Sequence, residues 1–409
     1  MQPTAKHIVV IGSGPAGVAS AIGLMQLGYR VTCISKPRRP GTIEGLSERA
    51  YQALVQLGLQ QALESISEPL ARAVIWNGVL SAANTERLID RLNFDLALIE
   101  DLKRLGVDVI EDSVATLTPG SGGWRVTLGS GGVVAADFLV DARGRRSSNS
   151  QKALSRGPES VSLGQFWELP STSNLAPGVM VINLPSGWAW LTCDPDRRVY
   201  TQLSMSARSD ALPPKGSEPT WIKESLAGVA TEFEVIQESV PTGPATFRGC
   251  TPILQTGMVA DTFIRVGDAA MAVDPLSGNG IFQALSSALT APAVINTILS
   301  APKSAELAKG FYQERLNHLF FRFSRVGRDF YREVESADQD DFWSGRQKWP
   351  DDQPAHYDRD KVLGIETRPV INNGLIELQE VVITDNQPLG IWMVDGERAV
   401  DRLARLQRR

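Results

Sequence analysis

Two short apolar runs, each followed by glycines and a helical pattern, dominate the distribution of hydrophobic residues along the chain. His7–Ile11 is almost entirely apolar and predicts a buried strand. Residues 263–266 predict a second one, with Gly267 and Asp268 at its carboxyl end and an uncharged helical pattern over 281–299. Because ligands of open α/β sheets bind at the carboxyl ends of the strands, both runs predict a ligand site.

The first run leads into the turn Gly12-Ser-Gly-Pro-Ala-Gly17, which lies between the predicted strand and a predicted helix. In this context G-x-G-x-x-G predicts a dinucleotide-binding βαβ unit, because the glycines permit a tight turn, close approach of a pyrophosphate and close helix–strand packing. The second strand ends at Ser35, where the fingerprint expects a carboxylate for the ribose, and serine bonds a hydroxyl more weakly. The basic residues that follow, Lys36, Arg38 and Arg39, would suit a 2′-phosphate and hence NADP.

The remaining pattern predicts several further elements. Three β runs with glycine-rich turns between 114 and 140 predict a β-meander, and alternation over 161–255 predicts an antiparallel sheet. Residues 305–335 predict one or two amphipathic helices, and 361–383 predict a hairpin around Asn372-Asn-Gly374. We expect a polar linker over 338–357 and a terminal helix over 399–406.

These elements predict an α/β fold, with α+β character in a second part. The divisions are a discontinuous Rossmann-like nucleotide-binding domain (1–68, 86–160 and 256–300), a β-sheet substrate domain (69–85 and 161–255), a helical segment (301–350) and a small C-terminal α/β piece (351–409).

Composition excludes several function classes. The net charge of −5 gives no basic field for nucleic acid, and no uncharged apolar run reaches the ~20 residues that span a bilayer. Cys33, Cys193 and Cys250 are few and far apart, which favours a reducing cytoplasm over a disulfide framework. The three histidines are equally scattered, so no metal site is expected.

Three motifs carry a resemblance to FAD-dependent hydroxylases and halogenase-like flavoproteins. They are Gly267-Asp268 followed by Asp274-Pro-x-x-Gly278-x-Gly280-Ile281, Arg91-x-x-Phe-Asp, and Val-Asp141-Ala-x-Gly-x-x-Ser147. The resemblance implies one FAD, not NADP, in a Rossmann-like domain of the glutathione-reductase type. No histidine or cysteine lies in an attachment motif, so we expect the FAD to be bound non-covalently. The FAD-binding residues implied are Gly12, Gly14, Pro15, Ala16, Gly17, Ser35, Lys36, Arg49, Arg91, Val114, Asp141, Gly267, Asp268, Pro275, Gly278, Asn279, Gly280 and Ile281, with Pro275, Gly278, Asn279 and Gly280 lining the flavin.

Trp188-Ala-Trp190 resembles the Trp-x-Trp motif of flavin tryptophan halogenases, yet two features argue against halogenation. The halogenase motif continues Ile-Pro, whereas Thr192-Cys193 follows Leu191 here. A halogenase also needs a lysine after the second strand, and this chain has none between Lys36 and Lys103. We therefore expect these tryptophans to be aromatic residues on a strand near the cavity.

Softer motifs resemble one bacterial branch of these flavoproteins, which helps to make protein-derived tryptophylquinone cofactors. They are Glu44-Gly-Leu-Ser47, Asp274-Pro-Leu-Ser-Gly278, and Phe330-Tyr331 followed by Phe342-Trp343-x-x-Arg346. The branch implies a monooxygenase that hydroxylates a tryptophan of a partner polypeptide through a flavin C4a-hydroperoxide, with O2 as co-substrate and an unidentified electron donor. The alternatives are a hydroxylase, halogenase-like enzyme or reductase acting on a free small molecule, and a non-catalytic flavoprotein chaperone.

Overall fold

The computed structural model describes residues 6–36, 41–147, 153–335 and 341–407. Arg38 and Arg39, which would suit a 2′-phosphate, lie outside these residues. The strands in chain order are β1 His7–Ile11, β2 Arg30–Ser35, β3 Ile43–Leu46, β4 Leu70–Trp76, β5 Val79–Asp90, β6 Asp108–Glu111, β7 Val114–Gly120, β8 Gly123–Leu128, β9 Val133–Ala136, β10 Phe138–Asp141, β11 Ala153–Arg156, β12 Ser160–Glu168, β13 Gly178–Leu184, β14 Gly187–Cys193, β15 Val199–Ser206, β16 Val240–Gly249, β17 Ile253–Gln255, β18 Val259–Ala260, β19 Phe263–Arg265, β20 Met271–Ala272, β21 Val362–Asn372, β22 Leu375–Thr384, β23 Gln387–Ile391, β24 Met393–Val394 and β25 Glu397–Arg398.

The described residues also form helices. They are α1 Pro15–Gln26, α2 Glu48–Gln56, α3 Gln60–Glu64, α4 Arg91–Arg104, α5 Glu218–Leu226, α6 Thr231–Glu238, α7 Gly280–Ser300, α8 Ala305–Arg332, α9 Asp341–Lys348 and α10 Ala399–Gln407, with short 3-10 turns at Gly267–Ala269 and Pro275–Ser277.

A six-stranded sheet in the order β18-β19-β10-β1-β2-β6 forms the centre of the first half. β1 pairs in parallel with both β2 and β10, which aligns Ile11 with Ile34 and Asp141. Val9 and Val10 of β1 are completely buried, as expected for a parallel strand covered on both faces. The α/β fold class is confirmed, and so are the two strands predicted at residues 7–11 and 263–266.

A second sheet has eight strands in the order β16-β12-β15-β14-β13-β4-β5-β3. One face packs on α5 and α6, where Leu191 and Leu203 meet Ile222 and Phe233. The sheet is not purely antiparallel, because β4 and β13 pair in parallel, with Val181 opposite Val74. Sequence alternation could not reveal this pairing, since the two strands are far apart along the chain.

The β-meander is confirmed as the sheet β7-β8-β9, and the C-terminal hairpin as the antiparallel pair β21 and β22. This hairpin packs on the main core. Ile376 is buried in the cluster that contains α1 and α7, and its N–H donates to Thr297 Oγ1 at 2.8 Å. The domain divisions themselves stay a prediction.

The expected linker over 338–357 is wrong, because part of it forms the buried helix α9. Phe342, Trp343 and Arg346 are all buried. The Trp343 ring meets Trp76, Tyr331 and Phe342 edge-on, at centroid distances of 6.0, 5.8 and 5.1 Å. Its Nε1 donates to the Pro185 carbonyl at 2.8 Å. Polar flanking residues conceal this helix in the sequence, because the apolar surfaces that bury it come from other elements.

In the part of the chain that the structure describes, one helix, α7, is long and apolar enough to cross a membrane, with a mean hydropathy of 1.3 in its most apolar stretch. However, 67% of that stretch is buried inside the protein, where Leu285, Ala288 and Val294 join the main core. The apolar residues of α7 thus pack against α1 and α8.

Replacing Trp343 by alanine should destabilise the protein strongly. The change removes a fully buried ring and the donor to Pro185, and large-to-small substitutions of this kind cost about 3–5 kcal/mol. Thermal unfolding followed by circular dichroism should show a clear drop in the midpoint. The control Tyr357→Ala, at a side chain that is 51% exposed, should change it little. Equal midpoints for the two variants would contradict the buried position of α9.

Candidate functional site

A cavity of about 1410 Å³ lies between the carboxyl edge of the parallel sheet and the inner face of the eight-stranded sheet. This volume exceeds the ~300–1,000 Å³ of ordinary ligand pockets, so it has room for a large cofactor and a second molecule. The wall on the parallel-sheet side comes from the β1–α1 turn, the end of β2 and the loop before α7. The opposite wall comes from β5, β13, β14, β15 and β16.

The β1–α1 turn fits a dinucleotide. A side chain at Gly17 would place its Cβ 1.8 Å from the Gly12 carbonyl oxygen, and one at Gly12 would meet the Ala142 oxygen at 2.5 Å. Both positions therefore require glycine for close packing. A Cβ at Gly14 would meet no described atom within 4 Å, so the backbone here is open to an incoming phosphate.

Two helix N-termini face the same cavity. Gly14 precedes α1 and Asn279 precedes α7, and neither helix receives a side-chain cap from the described residues. Uncapped helix N-termini have free N–H groups and carry roughly half a positive charge, which favours an anionic ligand. The two helices together suit a pyrophosphate at one end of the cavity and a negatively charged ring system at the other.

Ser35 lies at the end of β2, where the ribose hydroxyl contact was expected. Its Oγ is 2.6 Å from Ser13 Oγ and accepts the Ser13 N–H at 3.2 Å. The two hydroxyls form a buried pair on the cavity wall, with the exposed Lys36 beside them. A serine pair lies where the fingerprint expects a single carboxylate, and Ser13 was missed because the motif treats its position as free.

Asp268 follows β19 and lines the cavity with a side chain that is 36% exposed. The Arg145 Nε lies 3.4 Å from its Oδ2, and Arg145 also donates to the Thr251 carbonyl. The carboxylate therefore keeps free acceptor positions toward the cavity. Arg145 thus links Asp268 to the cavity wall.

Asp141 is buried and outside the cavity lining. Its carboxylate accepts the Arg143 N–H, Nε and Nη2 at 3.2, 2.9 and 2.8 Å, and the Ser147 hydroxyl as well. These four bonds use the acceptor positions of a carboxylate, so a direct cofactor contact is not available to it. The geometry favours a positioning role, in which Asp141 holds Arg143 at the cavity wall.

Arg91 begins α4 and is buried at the wall between two carboxylates. Its Nη1 donates to Glu44 Oε2 at 2.7 Å and its Nη2 to Asp95 Oδ1 at 2.9 Å. These ion pairs outweigh burial and raise the pKa of the Arg91 guanidinium. Arg49 lies elsewhere, because α2 turns Ala50 and Leu54 inward and leaves Arg49 exposed and outside the described lining.

The loop before α7 is anchored from beneath by Asp274. Its carboxylate is buried, accepts the Leu276 N–H at 2.9 Å, and accepts the Tyr331 hydroxyl at 3.0 Å. Burial raises the pKa of this carboxyl. Pro275 and Gly278 of the same loop reach the cavity, so a buried contact fixes the segment expected to line a flavin.

The eight-stranded sheet presents an aromatic face to the cavity. Trp188 and Trp190 alternate with Ala189 along β14, so both rings lie on the inner face, and both line the cavity as buried side chains. Arg248 on β16 lies on the same face as Trp188, because the strand register aligns Trp188, Ser204, Ser162 and Arg248 across the sheet. Phe247 pairs with Leu163, so its side chain lies on the outer face of this edge strand, where it is 43% exposed. Sequence reasoning placed the two tryptophans near the cavity and missed Arg248.

The structure brings most predicted cofactor residues together. The wall contains Gly12, Gly14, Pro15, Ala16, Ser35, Lys36, Arg91, Val114, Asp268, Pro275, Gly278, Gly280 and Ile281, while Gly17, Gly267 and Asn279 are direct chain neighbours of wall residues. Wall residues not predicted for any role include Ser13, Arg72, Glu86, Gln202, Phe247 and Arg248, which no sequence motif marks. Among the residues that the structure describes, no three His, Cys, Asp or Glu side chains come together in a group that could hold a metal ion.

Comparisons with known proteins agree with this geometry. No family model matches the chain. Among solved structures, the peptidyl tryptophan dihydroxylase QhpG, essential for tryptophylquinone cofactor biogenesis, is 42% identical, with a TM-score of 0.87 over 99% of this chain and 93% of that one. The tryptophan 2-halogenase of Chondromyces crocatus is 25% identical over 390 residues, 84% of this chain and 71% of that protein.

The flavin-dependent halogenase CmlS has the same fold, with a TM-score of 0.76 at 18% identity over 94% of this chain and 86% of that one. Together with the relatives above, it confirms the resemblance to FAD-dependent hydroxylases and halogenase-like flavoproteins that the motifs indicated.

Replacing Asp268 by alanine should remove most of the bound FAD. The change deletes a charged acceptor facing the cavity, and such hydrogen bonds contribute about 1.5–3 kcal/mol. The flavin-to-protein absorbance ratio of purified protein, and the flavin released by acid precipitation, measure the loss. Asp261→Ala, at a surface ion pair with Lys309, is the matched control. Equal flavin content in both variants would show that Asp268 does not hold the cofactor.

Asp274 should tolerate asparagine far better than leucine. Asparagine keeps an oxygen for the Leu276 N–H and the Tyr331 hydroxyl, whereas leucine leaves both without a partner at about 1–3 kcal/mol each. Because burial raises the folded-state pKa of Asp274, the wild-type carboxyl destabilises the fold progressively as pH rises through that pKa. The thermal midpoint of Asp274→Asn relative to that of the wild type should therefore rise as the pH increases from about 4 to about 7. A constant difference across this range would refute the buried carboxyl.

Proposed function

The chain belongs to the family of FAD-dependent monooxygenases and flavin-dependent halogenases that includes the peptidyl tryptophan dihydroxylase, and from that premise we propose that it hydroxylates a tryptophan side chain of a partner polypeptide. The observation that carries the proposal is the 42% identity to that dihydroxylase over 99% of the chain. The cavity, with a dinucleotide-binding turn on one wall and an aromatic sheet on the other, provides the two compartments that such a reaction needs.

The residues of the parallel-sheet side fit FAD. In the proposed arrangement the free N–H groups at the start of α1 bind the pyrophosphate, and the Ser13–Ser35 pair and Lys36 lie at the adenosine end. Asp268 would accept hydroxyls of the ribityl chain. The loop from Pro275 to Gly280 and the N-terminus of α7 would hold the isoalloxazine. FAD reduced by an external donor would supply, with O2, the electrophilic oxygen for the hydroxylation.

The cavity wall favours oxygen transfer over halogenation. Among the described residues that line it, the only lysine is Lys36, which lies at the end of β2 in the nucleotide half. The substrate half, around Trp188 and Trp190, has no lysine in its described lining to hold a hypohalite. Its aromatic wall would instead pack against a planar substrate ring and exclude water from the reacting atoms.

A polypeptide substrate fits the position of the cavity mouth. Phe247, Arg248 and Gly249 lie together on β16, the edge strand of the eight-stranded sheet, and all three line the cavity. The Phe247 ring, on the outer face of the same edge strand, is exposed and offers a partner an apolar contact beside the cavity. A tryptophan carried on a polypeptide can enter past this edge strand while the rest of the partner stays outside. The proposed compartment is the cytoplasm, consistent with three cysteines that are buried and unpaired.

The proposal predicts a mass gain on the partner. The flavin-loaded protein, a reducing system and isotopically labelled O2 should add one or two labelled oxygen atoms to a tryptophan of a candidate precursor polypeptide, because the substrate half accepts an aromatic ring. Intact mass and fragment spectra locate the label. A precursor with phenylalanine at that position is the control.

Labelled product from free tryptophan or another small aromatic, with no gain on any polypeptide, would favour the small-molecule alternative. FAD binding and complex formation without oxygen incorporation into any substrate would favour the non-catalytic chaperone.

A further inference from the structure

One carboxylate in the substrate half of the cavity makes few hydrogen bonds. Glu86 lies on β5 with a side chain that is only 17% exposed. Its Oε2 accepts the Trp190 Nε1–H at 3.4 Å and forms an ion pair with Arg72, whose Nε lies 3.6 Å away, beyond hydrogen-bond distance. A carboxylate has about four acceptor positions, and burying them unfilled is costly. Glu86 thus has acceptor capacity that its protein neighbours leave largely unused.

The other carboxylates of the cavity differ from it. Glu44 and Asp95 bind the Arg91 guanidinium at 2.7 and 2.9 Å. Asp112 accepts the Ser113 and Ser130 N–H groups, and Asp268 is more than a third exposed. Each of these groups has strong partners or access to water. Among the described carboxylates of the lining, Glu86 is the one whose side chain is mostly enclosed and has, beside its ion pair with Arg72, a single long hydrogen bond.

The surroundings hold the Glu86 side chain in one place. A Cβ at Gly45 on β3 would lie 2.0 Å from Glu86 Oε1, so glycine at position 45 makes the space that the carboxylate occupies. Trp190 approaches from β14, and its ring shares the cavity wall with Trp188. Burial raises the pKa of Glu86, and the nearby Arg72 and Trp190 act in the opposite direction. The carboxylate is therefore oriented by three strands at the aromatic wall.

We propose that Glu86 accepts a hydrogen bond from the indole N–H of the substrate tryptophan and is a catalytic residue of the proposed hydroxylation, on which this inference rests. Addition of an electrophilic oxygen to the indole ring places positive charge on its nitrogen. A carboxylate at the N–H stabilises that charge more in the transition state than in the ground state. The proton stays on nitrogen during this step, so Glu86 acts through its charge and its acceptor oxygen.

The experiment compares two partner peptides and two forms of the flavin-loaded protein. One peptide carries tryptophan, and the other carries 3-benzothienylalanine, in which sulfur replaces the N–H with little change of shape. Glu86→Gln removes the charge at nearly constant size. The rate of oxygen incorporation is measured for all four pairs. Glu68→Gln, at a side chain that is 92% exposed, is the matched control, and flavin content is checked in each protein.

Glu86→Gln should slow oxygenation of the tryptophan peptide by about 10- to 100-fold, the range for losing one charged hydrogen bond. It should leave the rate for the benzothienyl peptide nearly unchanged, because that peptide has no N–H to bind. For each peptide, the rate of the wild type is divided by the rate of Glu86→Gln. Comparing these two ratios cancels the lower intrinsic reactivity of the sulfur-containing ring. Glu68→Gln should behave as the wild type with both peptides.

Two other results would each overturn a different claim. Equal slowing of both peptides, or of neither, would show that Glu86 does not bind the N–H, while leaving the proposed hydroxylation intact. Oxygenation of neither peptide by the wild type would reject the proposed function itself. In that case the affinities of the oxidised flavin-loaded protein for the two peptides test the contact. If Glu86 binds the N–H, Glu86→Gln, which keeps only a neutral acceptor oxygen, should weaken binding of the tryptophan peptide and leave binding of the benzothienyl peptide unchanged.

Discussion

The close packing of α7 against α1 is the constraint on which the site depends. A Cβ at Gly23 of α1 would lie 2.7 Å from the Pro292 ring of α7, so the two helices approach as nearly as their backbones allow. Ser20 Oγ adds a hydrogen bond to the Ala288 carbonyl at 3.4 Å. Because both N-termini open into one cavity, this contact sets the distance between the two positive helix ends. Helix α7 also holds the C-terminal hairpin, because the Ile376 N–H donates to Thr297 Oγ1.

The nucleotide half of the fold follows from local rules, which is why so much of it could be predicted. The glycines of the first turn, the apolar strand before them and the helix after them are adjacent in sequence, and Gly17 and Gly12 need their small size for contacts within that unit. The helix α9 could not be predicted, because Trp343 is buried by Trp76 and Tyr331, which come from distant segments. Hydrophobic periodicity predicts a helix only when the helix itself carries enough regularly spaced apolar residues.

The charged residues of the wall show the same division. Arg91 and Asp95 are four residues apart on one helix, and that spacing predicts their ion pair. Glu44 completes the group from β3, and no spacing rule connects positions 44 and 91. Conversely, Arg49 carries a sequence resemblance to a cofactor residue but lies on the outer side of α2. Whether an arginine reaches a cavity depends on the face of its helix, and motif matching does not test that face.

The substrate half depends on the register of the eight-stranded sheet. The outer face of β14 presents Ala189 and Leu191 to the core formed with α5 and α6, so alternation directs Trp188 and Trp190 inward. A one-residue shift would exchange the two sets and bury tryptophans among the helices. Pairing of β14 with both β13 and β15 along its full length prevents such a shift. The core packing behind the sheet therefore decides which side chains meet the substrate, and residues that never touch the cavity determine the chemistry of its wall.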